Sequence, residues 1–228
     1  RREMKACFPF AGPKIEVTLE AADPRFVKLG ANQINEGFLK QKGIRRPFIL
    51  AVGNLQPRKN LSRLIGAFAK VKNRAGISHQ LGIVGKALWR ESEIHRTVYE
   101  HRLENQVVFT GYVPDEGLVQ LYNQSDVFAY PSLYEGFGLP VIEAMACGTP
   151  VVTSDSSSIP EVAGDAAILI NPEDVESIAQ GLGTVITNAS LRETLGRKGL
   201  EQARKFAWEK TAEQTLGIYR ESGMENSR

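Results

Sequence analysis

From Phe48 onward, apolar runs of four to six residues alternate with segments whose apolar positions recur at helical spacing. The runs Phe48–Gly53, Gln80–Gly85, Val107–Gly111, Asp126–Tyr130, Pro150–Thr153 and Ala166–Ile170 predict strands. The segments between them, Leu61–Arg74, Leu88–Arg102, Glu116–Gln124, Pro140–Cys147 and Ile159–Ala163, predict helices. Short apolar strands separated by helices imply a parallel sheet buried on both faces. Right-handed crossovers then give an α/β, doubly wound, Rossmann-like domain over residues 46–172. Beyond Pro172 the period is helical throughout, with helices expected at Glu173–Thr187, Leu191–Phe206 and Trp208–Ser222. Residues 173–228 therefore read as a helical tail packing on that domain. Residues 1–45 are polar and broken. They hold one alternating run, Lys14–Glu20, that could be an edge strand, and helical periodicity only around Asn32–Lys42.

In a doubly wound sheet, ligands bind beyond the carboxyl ends of the strands, where the strand order reverses. The residues just after each strand are therefore the informative ones. They are Gly53, Asn54 and the run through Arg58, Lys59 and Asn60; Gly85 and Lys86; Gly111, Tyr112 and Val113; Pro131 and Ser132 leading to Glu135; and Ser154 with its serine-rich neighbours. Glycines, cations and acids gather at one edge. Asn60, directly before an apolar helical period, reads as a helix cap.

The densest of these stretches is YPSLYEGFGLPVIEAMACGTPVVTS, Tyr130 to Ser154. A glycine-bearing loop feeds into a helix whose Pro140 suits a first turn, and Gly148 suits its C-terminal end. Gly136 and Gly138 carry no Cβ, so a ligand could approach the backbone there. The amides of Gly136, Phe137, Gly138 and Leu139 at a helix N-terminus form a ready anion site. Glu135 and Glu143 frame the loop with seven residues between them. Nearby, Arg58 offers a bidentate fork and Lys59 a compact charge, both suited to phosphate.

E-G-F-G-L-P-V-I-E-A-M-A-C-G-T-P-V-V resembles the E-x7-E signature of retaining glycosyltransferases of the glycogen-synthase-like group, which share the two-domain GT-B fold. The resemblance runs from about residue 14 to the end and implies the donor-binding C-terminal domain of such an enzyme. It implies that Lys59, with Arg58, holds the donor diphosphate, that Glu135 lies beside the donor sugar, and that Glu143 accepts hydrogen bonds from the ribose hydroxyls. Gly53, Asn54, Gly85, Lys86, Tyr112 and Val113 match segments that line the nucleotide pocket. Asn54 departs from the commoner form, which has Arg directly after the glycine. The implied donor is a nucleoside diphosphate hexose, with P-R-K-N pointing toward mannosyl-type GDP donors. The acceptor, a glycan or lipid, would bind an N-terminal half not seen in this sequence; the chain alone would then be inactive, and residues 1–45 would be interdomain connection. Two other readings stay open, a nucleotide-sugar epimerase of similar fold and a non-catalytic nucleotide-sugar-binding module.

Composition narrows the partners. Hydrophobic residues make up 42% and charged residues 24% of the 228, a soluble globular balance. A net charge of +2 argues against nucleic acid as a partner. No apolar run approaches the length of a membrane span, and the N-terminus is a poor signal peptide. Cys147, inside the predicted helix, is expected to be a buried apolar residue rather than half of a disulfide. The expected location is the cytoplasm, with peripheral contact at the cytoplasmic face of a membrane left open through the other half. With no D-x-D and no His/Cys cluster at ligand spacing, no metal and no cofactor are expected.

Overall fold

The computed structural model describes residues 2–10, 15–86 and 91–225. Its six strands, β1 (Phe48–Val52), β2 (Gln80–Val84), β3 (Val107–Gly111), β4 (Val127–Tyr130), β5 (Val151–Ser154) and β6 (Ala167–Ile170), all pair in parallel, in the order β3-β2-β1-β4-β5-β6. β1 pairs with β2 along its whole length and with β4 only at Ile49 and Leu50. The strand order reverses between β1 and β4. That is the switch point of a Rossmann-like sheet.

Helices in chain order are α1 (Arg2–Cys7), α2 (Glu36–Gln41), α3 (Leu61–Ala75), α4 (Glu91–Glu100), α5 (Asp115–Gln124), α6 (Leu139–Ala146), α7 (Ile159–Ala163), α8 (Val175–Thr187), α9 (Ala189–Ala203) and α10 (Trp208–Glu225). The strands alternate their side chains between two apolar layers. Ile49, Ala51, Leu81, Ile83, Val127 and Ala129 join Leu64, Phe68 and Val71 of α3 and Ile178, Leu182 and Val185 of α8 in one core. The intervening residues Phe48, Leu50 and Phe128 are also fully buried, and the Phe128 ring lies 5.3 Å from that of Tyr122 on α5.

Two compact units are distinguished, residues 22–205 and residues 1–21 together with 206–228. The first holds the whole sheet. Within it, segments that read as a polar connection supply isolated anchors: Phe26, Leu39 and Ile44 are buried, and the Phe26 ring packs edge-on against Tyr122 at 5.9 Å. Single anchors carry no period, so the pattern could not show them. Asn35 caps α2 by accepting from the Phe38 amide at 3.2 Å, which confines the periodic stretch Asn32–Lys42 to six helical residues.

In the second unit, the Thr211 hydroxyl of α10 donates to the Leu19 carbonyl. The edge strand expected at Lys14–Glu20 is not formed over 15–20, and Lys14 lies outside the described residues. Among the described residues no strand pairs with that segment, and an alternating pattern without a ladder remains an extended chain. The start of the predicted helix Leu88–Arg102 also falls outside the described residues; α4 covers its later part. No described helix is long and apolar enough to cross a membrane.

Candidate functional site

The loop leaving β1 turns through a 3-10 segment at Pro57–Lys59, which lifts two adjacent cations to the switch point. Gly53 makes this possible. Its φ is +145°, and a Cβ there would stand 2.9 Å from the Lys59 Cε, so the lysine stem lies across a bare backbone. Lys59 is 8% exposed. Its ammonium donates to Glu135 Oε1 at 2.7 Å and to the Tyr130 hydroxyl at 2.5 Å, and it sits 4.6 Å from the centre of the Tyr130 ring. The Tyr130 hydroxyl in turn donates to Glu135 Oε1 at 2.8 Å. Arg58 approaches the other carboxylate oxygen, Nη1 to Oε2, at 2.6 Å. The three residues expected to do the chemistry, Lys59, Arg58 and Glu135, are thus one cluster, with Glu135 at its hub and Tyr130 bridging it to Lys59.

Burial acts on Lys59, Glu135 and Tyr130. It pulls the Lys59 ammonium below its ordinary range, an effect that Glu135 partly reverses. It would raise the Glu135 carboxyl, but hydrogen bonds from Lys59, Tyr130 and Arg58 outweigh it and the net direction is down. The Tyr130 phenol is pushed up, first by burial and then by the Glu135 charge beside it. The Glu135 carboxylate is thus the common acceptor of Lys59, Arg58 and the Tyr130 phenol.

The loop carrying Glu135 is fixed by the serines that follow β5. The Glu135 amide donates to Ser157 Oγ at 3.1 Å. Ser158 Oγ donates to the carbonyls of Glu135 and Phe137 at 2.9 and 3.0 Å, and Ser156 Oγ to that of Leu133 at 3.3 Å. Ser157 adopts a left-handed φ of 56°, rare for a residue with a Cβ. Asn60 supplies a second brace. It occupies the N-cap position of α3, but its own φ is 61° and its side chain makes no cap bond, which corrects the expected capping role. Instead Nδ2 donates to Pro131 O at 3.0 Å and to Pro172 O at 2.6 Å, tying the loops after β1, β4 and β6 together.

The remaining expected residues separate by role. Asn54 Oδ1 accepts from the Lys86 amide at 3.2 Å, so it joins the ends of β1 and β2. Lys86 Nζ lies 5.1 Å over the ring of Tyr112, which is 63% exposed. Val113 is 2% exposed, so only its backbone could meet a ligand. Gly85 packs on the Gly53 carbonyl, 2.1 Å from where a Cβ would lie. Open space surrounds the Cβ position at Gly136. Gly138, expected to admit a ligand, serves packing: its φ is +109°, and a Cβ would fall 2.5 Å from Ile159 Cδ1. The amides of Gly136, Phe137 and Leu139 remain at the N-terminus of α6, beside the cluster.

Glu143, about one turn into α6, stands apart from these groups. It accepts from the Tyr122 hydroxyl at 3.0 Å. Burial raises its carboxyl to about 7, the Tyr122 bond opposes that, and Asp115 and Asp23 add to it. Cys147 on the next turn is buried and unbridged, its thiol pushed up to about 12 by burial and by Glu143. Among the described residues no three His, Cys, Asp or Glu side chains converge as a metal site would require.

The pattern missed Tyr130, Tyr122, Ser156–Ser158 and the bracing role of Asn60. One signal was available for Tyr130: a phenol ending an otherwise aliphatic buried strand needs a partner for its hydroxyl.

Residues 36–202 match the family Glycosyl transferases group 1. The chain is 33% identical over 220 residues to O-antigen chain mannosyltransferase B of Escherichia coli, covering 96% of this chain and 58% of that protein. Sucrose-phosphate synthase from Thermosynechococcus elongatus is similar in structure with a TM-score of 0.76 at 28% identity, over 90% of this chain and 52% of its own. Anabaena HepE, solved in complex with UDP and glucose, shares the fold with a TM-score of 0.84 at 24% identity, over 96% of this chain and 61% of its own. The chain thus spans little more than half the length of these relatives. With its motif seated at the switch point of a Rossmann-like sheet and most of its length matched, the chain belongs to the glycosyl transferases group 1 family.

Proposed function

We propose that this chain is the donor-binding part of a retaining glycosyltransferase that takes a hexose from a nucleoside diphosphate sugar. The observation that carries the reading is the Lys59–Arg58–Glu135–Tyr130 cluster at the switch point, next to the N-terminus of α6. Breaking the bond between sugar and diphosphate builds negative charge on the departing phosphate. Preorganised cations and amides stabilise such charge best where water is excluded. Lys59 is nearly buried and Arg58 half-exposed, so one cation is fixed and the other can follow the leaving group. No metal or cofactor is needed on this reading, because the two cations and the helix N-terminus meet the diphosphate charge themselves.

Glu143 is assigned to the ribose, since a carboxylate can accept from both hydroxyls of a diol. Double displacement in retaining glycosidases uses two carboxylates about 5 Å apart. Here the second acid is engaged with Tyr122 and makes no bond to the cluster, which favours departure and attack on one face of the sugar. Mannose is the first sugar to try, from the name of the Escherichia coli relative. The acceptor, glycan or lipid, is assigned to no residue of this chain.

The test is calorimetric titration of the chain with GDP, UDP and ADP and with the matching nucleosides, for wild type and Lys59→Ala. Lys59→Ala is expected to weaken the diphosphate by about 1.5–3 kcal/mol, the usual worth of a charged hydrogen bond, and to leave the nucleoside unchanged. Equal losses for both ligands, or no binding of any diphosphate by the wild type, refute the assignment.

A further inference from the structure

Both oxygens of the Glu135 carboxylate are taken by the cations assigned to the diphosphate. Oε1 meets Lys59 and Oε2 meets Arg58, at 2.7 and 2.6 Å. A diphosphate that draws on those cations competes with Glu135 for them. Arg58 can make the exchange readily: its side chain is 47% exposed, and its remaining partners are the Gln56 side chain at 3.2 Å and the Tyr134 carbonyl at 3.4 Å. The Glu135 backbone cannot retreat, because Ser157 and Ser158 hold its amide and carbonyl. What moves is the carboxylate itself, and once displaced it is a buried anion next to a bound anion. It needs hydroxyl donors to replace the cations it has lost.

We infer that Glu135 is a built-in competitor that discriminates between a sugar-bearing nucleotide and the bare diphosphate. A hexose next to the diphosphate brings hydroxyls that can donate to the displaced carboxylate. Inorganic pyrophosphate brings none, and the hydroxyls of a nucleoside diphosphate are those of the ribose, assigned to Glu143. The bare diphosphate is thus held weakly, which favours release of the product once the sugar has gone. This inference rests on the donor-site reading above and adds a role for Glu135 beside that of contacting the sugar.

The experiment compares wild type, Glu135→Gln and Glu135→Ala by calorimetry with pyrophosphate, GDP and UDP, and with GDP-mannose and UDP-glucose. A parallel urea titration of each protein confirms folding. Gln keeps the shape without the charge, and Ala guards against a new hydrogen bond between the carboxamide and Tyr130 or Arg58. Freed of the competing charge, both variants should bind the bare diphosphates about tenfold tighter, the equivalent of one charge-assisted hydrogen bond no longer broken. The sugar nucleotide should gain much less, so the gap between the two ligand classes closes in favour of the bare one. Unchanged or weaker diphosphate binding in both variants overturns the competition. Equal tightening of both ligand classes overturns the discrimination. Failure of every protein to bind any diphosphate overturns the inference together with the donor-site reading beneath it.

Discussion

Replacing Glu143 by Gln should stabilise the ligand-free protein, and only above mildly acidic pH. Glu143 keeps the contact with Tyr122 in either form, because a glutamine oxygen accepts from the phenol as a carboxyl oxygen does. What changes is the titration. Burial raises the carboxyl from an ordinary 4.5 to about 7, so between those values the folded chain holds a proton that the unfolded chain has released. Stability then falls as pH rises through this window and levels off above it. At ~1.36 kcal/mol per decade of proton affinity, the full gap corresponds to about 3 kcal/mol. The Gln variant, which does not titrate, should match wild type near pH 4.5 and exceed it by up to about 3 kcal/mol at pH 8. Urea unfolding of both proteins at half-unit intervals from pH 4.5 to 8.5 provides the curve. Two parallel curves with a constant offset, or a Gln variant less stable at pH 8, would refute the reasoning, since either places Glu143 in an environment that does not resist its charge.

Two further outcomes follow from the site. Excess EDTA should leave nucleoside diphosphate binding intact, because Lys59, Arg58 and the α6 amides meet the phosphate charge; a strict need for Mg²⁺ or Mn²⁺ in the same titration would refute that. Asn60→Ala should cost about 2–4 kcal/mol in urea unfolding, from two lost buried hydrogen bonds and alanine's poorer tolerance of positive φ. Asn60→Gly, which relieves only the backbone strain, should recover part of that loss, and a glycine variant as stable as wild type would show that the brace to Pro131 and Pro172 contributes nothing.

The sheet was legible because each strand is a short apolar run and each crossover a helical period. These two signals fix order and spacing without any tertiary knowledge. The cluster was legible at Lys59, Arg58 and Glu135, since loops after strands in such a sheet converge by topology. What escaped was whatever depends on a partner distant in sequence. Tyr130 looks like one more strand residue until Lys59 and Glu135 are seen around its hydroxyl. Asn60 has the residue type of a cap, yet its two acceptors lie 71 and 112 positions away. Glu143 reads as a helix acid, and only packing against Tyr122 and Cys147 reveals a carboxyl that resists ionisation. The Lys14–Glu20 alternation failed for the converse reason, a local pattern with no neighbour to pair with.

The serine clamp has a consequence for how the site meets its ligand. Glycine-rich loops commonly begin disordered and are ordered by what they bind, and that ordering subtracts from affinity at about 1–2 kcal/mol for each residue fixed. Here three serine hydroxyls hold Leu133, Glu135 and Phe137. The loop brings almost no chain entropy to lose, so encounter is a matter of exchanging charges on a surface already formed. Association should accordingly be limited by electrostatics and diffusion, not by a slow closure of the loop.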